Sequence, residues 1–541
     1  MGVVLLSVLL IAQVSPPSVA SGPAPSATPS DIPTIEPAGL RLGVVGRVDT
    51  LDPLYATLAP ERDIDALLFR GLTRPGPGGT LVGDLATSWA VTDTGHTYTF
   101  HLRDDLSWAD GQPVTAADVA FTIRVLQDAA YDGPYGAPWH GVVVTTPDAS
   151  TVVLRLADPA AAFLQVTTQA IVPAHLLRDT SVDQLPALGF ATQPVGDGPY
   201  QLVDLAGDHA RLVLGPRPAA DAASAIPVIA LQFYPDSSAL ADAVRSAAVD
   251  AADGLPPEVA AALATLSAMR AIDYPLTTLT AAVMNVRVGQ PLFRDARVRA
   301  ALLSAIDRPG LVRSVFAGAA TVATTPFPAL PSVAPPASPT SSASPSAASA
   351  AAGLTAAGWK RQADGWHAPG VKTAVAFQVV TVDAATNPAL NAVAHAVVAA
   401  WTSLGLHVTL AELPPSTLVQ QRLLPHDFQV AVIDMDLGLV PDLQPMLTSS
   451  QAVKGGTNLA GYENAPFDRL LATAHAWAAP AAQASHQAAV AAAFAAQLPF
   501  LPLLFAQRAD LYRDTVTGPT VRPLSQPSDR LWDVLAWRLT R

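Results

Sequence analysis

Metal and proton chemistry would show first in the spacing of histidines and carboxylates, and this chain offers little of either. His96 and His101 flank one alternating segment but lie five apart, so their side chains fall on opposite faces. His475 and His486 are eleven apart, which on a helix is about 16 Å of rise, and Pro480 falls between them. They read as lone structural or surface histidines. The pairs Asp63/Asp65 and Asp104/Asp105 are alternate or adjacent residues in polar surroundings. A solvated face explains them better than a pair of catalytic carboxyls does. The patterns G-x-S-x-G, G-x-x-x-x-G-K, H-E-x-x-H and S-x-x-K are all missing, which counts against the common hydrolases and nucleotide enzymes. No catalytic residue, metal site or cofactor is expected.

Groups suited to binding are easier to find. Tyr135 and Trp139 stand in the stretch Tyr131–Trp139, which is rich in Gly and Pro and offers no strand or helix to bury large rings. Aromatic walls bury ligand area and orient it through their faces. The alternative is that Trp139 plugs a domain interface. In open α/β sheets, ligands bind beyond the carboxyl ends of strands. Phe428–Ile433 is apolar on both parities, as a strand covered on both faces should be, and it leads into Asp434-Met435-Asp436.

The 541 residues carry 31 basic and 44 acidic side chains, a formal charge of −13, and no cysteine. Lys360, Lys372 and Lys454 are the only lysines and the balance is acidic, so nucleic acid, which needs a basic stripe, is not expected as a partner. The absence of cysteine excludes thiol nucleophiles, disulfides and a lipid-anchoring thiol. Half the residues are hydrophobic, enough for several cores, and 34 Gly with 50 Pro stay below the ~25–30% of low-complexity chains. Val3–Val14 is apolar but too short for the ~20 residues of a spanning helix. With the small residues that follow it, this reads as a secretory signal over residues 1–20. A Pro/Ser/Ala-rich linker over 21–39 comes next.

From Leu40 onward, strand and helix patterns alternate, which predicts an α/β fold. Tyr98, Phe100 and Leu102 alternate with polar residues, so a half-buried strand is expected there. Thr115 with Asp118 forms a capping box for a helix carrying Val119, Ile123 and Leu126 on one face. Strands are expected at Val228–Tyr234, Thr280–Asn285, Ala374–Val382 and His407–Leu410, and helices at Ser237–Ala248, Val298–Ile306 and Leu390–Leu404. Pro326–Ala352 loses periodicity and reads as a flexible surface loop.

Several collinear segments resemble the extracytoplasmic solute-binding proteins of ABC importers, in the peptide/nickel-binding family. They include Leu51-Asp52-Pro53, Leu68-Phe69-Arg70-Gly71-Leu72 and Tyr98–Arg103. The block Trp108-Ala109-Asp110-Gly111-Gln112-Pro113-Val114-Thr115 is the most recognisable. Gly196-Asp197-Gly198-Pro199-Tyr200 carries Asp where the family has Thr. Asn285, Pro291–Arg299 and Leu498–Leu503 continue the series. Most of these residues read as turns, caps and core.

The resemblance implies a bilobal periplasmic-binding-protein-like fold (type II, with an extra domain), its lobes joined by a hinge around a ligand cleft. Lobe I would comprise 40–60, 190–283 and 490–541, the accessory domain 61–189, and lobe II 284–489. It implies an exported monomer that captures a short peptide or other small solute and delivers it to ABC permease subunits. A sensor or scaffold on the same fold, and an extracellular hydrolase, are the competing readings. The ligand contacts it implies are Tyr135, Trp139, Asn285, Ile433, Asp434 and Asp436. Relatives place an aspartate after the matching strand to hold a peptide ammonium, and spacing does not choose between Asp434 and Asp436. Val440-Pro441-Asp442 stands where relatives often carry Asp-Pro-Asp, a departure from the family.

Overall fold

Backbone amides left over by turns and helix starts need acceptors, and two acidic side chains supply them early in the chain. The computed structural model describes residues 39–215, 225–266, 268–287, 291–330 and 346–540, opening on strand β1 (Gly39–Val45) and helix α1 (Ala59–Leu68). Glu61, in the first turn of α1, is buried and accepts the amides of Asp49, Thr50, Thr57 and Leu58. One carboxylate thus fixes the whole strand-to-helix connection. Strands β2 (Ala86–Thr92) and β3 (Thr97–Leu102) precede helix α2 (Ala116–Gln127), which starts at the predicted cap, the Thr115 amide donating to Asp118 at 2.8 Å. With β4 (Val143–Asp148) and β5 (Thr151–Arg155) they complete an antiparallel sheet of order β2-β3-β5-β4. Tyr98, Phe100 and Leu102 face its core, as their alternation requires.

Apart from three short two-stranded ribbons, the remaining described strands join one mixed sheet. Strands β6 (Tyr200–Leu205), β7 (His209–Leu214), β8 (Val228–Tyr234), β9 (Ala251–Asp253) and β10 (Met269–Met284) come first in the chain. Then follow helix α3 (Ala347–Ala356), strand β11 (Ala376–Val382), helix α4 (Pro388–Leu404) and strands β12 (His407–Leu413) and β13 (Val430–Asp436). Helix α5 (Ala465–His475) and strand β14 (Leu501–Arg513) complete the set. The sheet runs β12-β11-β13-β10-β14-β9-β1-β8-β7-β6, with the short strand Ala320–Val322 added to β14.

Strand β10 is much longer than the expected Thr280–Asn285. Its first half carries Arg270, Asp273 and Pro275, which blur the apolar pattern because that half packs against a different core. Tyr274 belongs to the hydrophobic cluster of the N-terminal segments, whereas Leu279 and Ala281 belong to the cluster of residues 279–505. Phe505 and Ala509 divide between clusters in the same way on β14. The β10–β14 ladder lapses where the cores change over, pairing Met269–Pro275 with Gln507–Arg513 and resuming at Leu279. In the gap Thr277 donates its amide to the Leu524 carbonyl at 3.0 Å. Two α/β lobes joined by a strand-pair hinge are the result.

Two sequence expectations need correction. Of the loop assigned to 326–352, residues 331–345 lie outside the described residues, as do the signal peptide and nearly all of the linker. Residues from Ala347 onward are helix α3, not loop. Ser346 caps it by accepting the Ser349 amide, alanine is the strongest helix former, and Ala350 and Leu354 are buried. The acids Asp63 and Asp65 are buried, not solvated. Arg530 explains the first, meeting both Asp63 oxygens at 2.7 Å. Arg530 also reaches Asp253 at 3.1 Å and Asp510 at 3.0 Å, and Arg508 contacts both of those acids. Nothing in the local sequence around Asp63 announces a partner 467 positions away. Among the described residues no helix is long and apolar enough to cross a membrane.

Removing one member of a buried ion cluster strands the others. Arg530→Met is therefore expected to cost about 3–5 kcal/mol of stability in denaturant unfolding. Asp197, the residue standing in the family's Thr position, sits in a second costly environment. Burial pushes its carboxyl up to about 8, against the opposing pull of Arg70. Between the unfolded value near 4 and this folded value, the native state holds the extra proton. Stability from this group is therefore present at low pH and lost as pH rises through about 8. Asp197→Asn is expected to raise the melting temperature more at pH 8.5 than at pH 5, read by thermal unfolding across that range.

Candidate ligand cleft

A cavity of about 1010 Å³ opens between the lobes. Its wall comes from α1 (Arg62, Asp65), the segment 134–139, the stretch 160–170, the end of β13 with the residues after it, and residues 525–538. Both lobes contribute. Tyr135 and Trp139 are on this wall, carried by the aromatic segment that sequence singled out. Gln127 holds the segment in place, donating to the Trp139 and Val142 carbonyls at 2.7 Å each. Tyr135 donates its hydroxyl to the Ala56 carbonyl. Trp139 is buried edge-on against Phe163, ring centroids 5.9 Å apart, so it backs the wall more than it presents a face.

The four candidates on the other lobe separate. Asp434 and Asp436 do not follow their strand but lie within it, because β13 extends to Asp436. The facing strand supplies hydroxyls that make acids tolerable there. Thr280 donates to Asp434 at 2.6 Å, and Thr277 donates to Asp436 at 2.6 Å. Asp434 also accepts from Asn387 at 3.2 Å and stands outside the cavity wall, its carboxyl pushed up to about 6 by burial. Asp436 lines the cavity, and one of its oxygens takes both the Thr277 hydroxyl and the Gly438 amide. Ile433 is buried in the core of the second lobe. Asn285 is buried too, its amide donating to the carbonyls of His426 at 3.1 Å and Phe428 at 3.0 Å. Both stand outside the cavity wall.

Sequence reading missed several wall residues. His475 is not isolated, since its ring meets Asp442 at 2.6 Å on the cavity surface, and that hydrogen bond raises its pKa above the ordinary histidine value. Thirty-odd residues separate the two, and no short motif links them. Arg62, Arg70 and Arg74 add cations, Arg70 paired with Asp84 and Arg74 bonded to the Trp532 carbonyl at 3.2 Å. Asp63 and Asp65 could have been flagged by their place in α1 one turn before the buried Leu67 and Leu68 respectively.

Direct bonds cross the cleft. The Val440 amide donates to Gln165 at 3.0 Å, and the Ala161 amide donates to the His475 carbonyl at 2.8 Å. Trp477 packs against the core of the first lobe, where Gly95, at φ +96°, leaves it room that a β-carbon would take.

Comparison with known proteins identifies this architecture. The pattern of the bacterial extracellular solute-binding proteins, family 5 Middle, matches residues 80–457. Oligopeptide-binding protein AppA of Bacillus subtilis is 25% identical over 452 residues, covering 80% of this chain and 79% of that protein. Its structure in complex with a nonapeptide superposes with a TM-score of 0.69 at 22% identity, covering 93% of this chain and 99% of AppA. NikZ of Campylobacter jejuni, solved in complex with Ni(L-His), gives 0.69 at 21% identity over 93% and 100% of the two chains. At these identities the structures establish the fold. A Brucella ovis protein named for peptide binding in an ABC transporter is 28% identical over 249 residues, 44% of this chain and 45% of its own length. The chain thus matches about half the length of that relative.

The placement of the two aromatics predicts different outcomes. Trp139→Ala is expected to cost about 3–5 kcal/mol, as for a buried large aromatic, in denaturant unfolding. Tyr135→Phe removes the hydroxyl's bond to the Ala56 carbonyl and is expected to cost about 1 kcal/mol by the same measurement.

Proposed function

The chain belongs to the bacterial extracellular solute-binding proteins of family 5, and from that membership we propose that its solute is a short peptide, held in the interlobe cleft and passed to an ABC permease. The observation that carries this reading is the cavity of about 1010 Å³, walled by both lobes, apolar in part and dotted with acids and arginines. A peptide offers the matching mixture of side-chain area, amide groups and charged termini. The names of AppA and of the Brucella relative point the same way.

We assign lobe I to 40–60, 190–278 and 506–541, the accessory domain to 61–189, and lobe II to 279–505. The exchange of cores at Tyr274/Leu279 and Phe505/Ala509 supports these limits. Asp436 is the better of the two aspartates as an ammonium anchor, since it lines the cavity and Asp434 does not. Tyr135 is the aromatic contact. Binding, closure about the hinge and hand-over need no catalytic group. Export, a monomeric state and a membrane-bound permease partner belong to the same reading.

Thermal unfolding tests it. A ligand at 100 times its dissociation constant stabilises by about 2.7 kcal/mol, so di- to pentapeptides are expected to raise the melting temperature by several degrees. Asp436→Asn is expected to weaken peptide binding at least tenfold in calorimetric titration. A shift with nickel–histidine or an oligosaccharide, and none with peptides, would overturn the peptide assignment.

A further inference from the structure

The acids lining the cavity differ in how fully the protein already satisfies them. They are Asp65, Asp84, Asp436, Asp442, Asp529 and Asp533. Asp84 takes the Arg70 guanidinium, and Asp442 takes the His475 ring and the Gln444 amide. Asp436 receives Thr277 and Gly438, and Asp529 receives the amides of Ser525 and Gln526. Asp533 receives the Trp537 indole at 2.6 Å and the Thr520 amide at 3.1 Å. Asp65 receives nothing on either oxygen, although the residue is only 8% exposed and its Oδ1 is sealed from solvent.

Its surroundings deepen the mismatch. Burial, with the like charges of Asp52 and Glu61 nearby, pushes the Asp65 carboxyl well above the usual carboxylate range, against a smaller pull from Arg62. Arg62, one turn earlier on α1, does not bond to it. That guanidinium turns to Gln526 at 3.4 Å and lies 5.8 Å from the centre of the Tyr135 ring, with its own Nε unpartnered. A buried carboxyl that the fold neither pairs nor hydrogen-bonds costs free energy, and a cationic partner is what recovers it.

We propose that Asp65 is the seat for a positively charged group of the solute, an ammonium or a guanidinium presented from the cleft. This rests on the cleft being the solute site. It adds a cation-accepting position on α1, at the accessory-domain side of the cleft, whereas Asp436 belongs to lobe II. A solute spanning the two would be held from both sides of the cleft at once, favouring closure. Charge-assisted hydrogen bonds to a desolvated carboxylate are short and strong, so the position discriminates between charged and neutral solutes. Either a peptide terminus or a basic side chain supplies the same chemistry.

Calorimetric titration with matched pentapeptides tests the assignment and identifies the source. One pair differs only in a free or acetylated N-terminus, the other only in lysine or norleucine at an internal position. The wild-type protein is expected to prefer the charged member of at least one pair by tenfold or more. Asp65→Asn, which keeps the shape and removes the charge, is expected to reduce that preference to threefold or less while leaving the neutral peptide's affinity within threefold. Its melting temperature without peptide should equal or exceed that of the wild type, so misfolding would not mimic the effect. A wild type with neither preference, or an Asp65→Asn protein that keeps every preference the wild type shows, overturns the proposal. If no peptide binds at all, the peptide reading falls and putrescine becomes the probe. A rise in wild-type melting temperature beyond that in sodium chloride of equal ionic strength, lost in Asp65→Asn, upholds Asp65. Equal behaviour of the two proteins overturns it.

Discussion

The pairing of β10 with β14 is the constraint on which the rest depends. Two strands of 16 and 13 residues run antiparallel through both lobes and belong to both cores. Their ladder runs on in each lobe, with one further register shift at Thr280/Ala281, and lapses for three residues of β10 between the lobes, so bending there breaks few hydrogen bonds. The lapse is not left unsatisfied. Leu524 bonds the backbone of Pro275 and Thr277, while the Thr277 hydroxyl reaches Asp436 on the cavity wall. The residue at the point of flexure is therefore bonded directly to a wall residue of the cleft.

Charge is distributed unevenly around that axis. The ion cluster of Arg508, Arg530, Asp63, Asp253 and Asp510 ties α1, β9, β14 and the C-terminal segment into one unit. Buried pairs of this kind contribute less to net stability than to fixing geometry, since desolvation offsets most of their attraction. Here they hold the base of α1 rigid. The same helix presents Arg62 and Asp65 to the cavity, so their positions inherit that rigidity. The other lobe relies on hydrophobic packing around β11, β13 and α4, with threonine hydroxyls answering the acids of β13.

Local signals made much of the fold legible and little of the cleft. The Thr115/Asp118 cap and the Tyr98–Leu102 alternation depend on neighbours in sequence, and both hold. The long first half of β10 stayed hidden because a strand that changes cores has no single periodicity. Asp63 and Asp65 looked solvated because Arg530, the partner of Asp63, lies at the far end of the chain. The end of β13 was misjudged for a related reason. Two aspartates close a strand by local rules, and only the facing threonines on β10 permit them inside it. Tyr135 was legible because a large ring in a Gly/Pro-rich stretch has nowhere local to go. The Asp442–His475 pair had no local signature at all.

The bonds that cross the cleft, Val440 to Gln165 and Ala161 to His475, link lobe II to the accessory domain on the opposite wall through main chain and a side-chain amide. The protein therefore contributes part of its own closing energy. In a two-state equilibrium, apparent affinity equals intrinsic affinity scaled by the fraction of molecules in the competent state. Each such bond enlarges that fraction and lifts the affinity for every solute alike, without favouring one over another. It also slows reopening, and with it the release of cargo. Discrimination among solutes and the lifetime of the loaded state are thus set by different residues, and either could drift in evolution while the other stayed fixed.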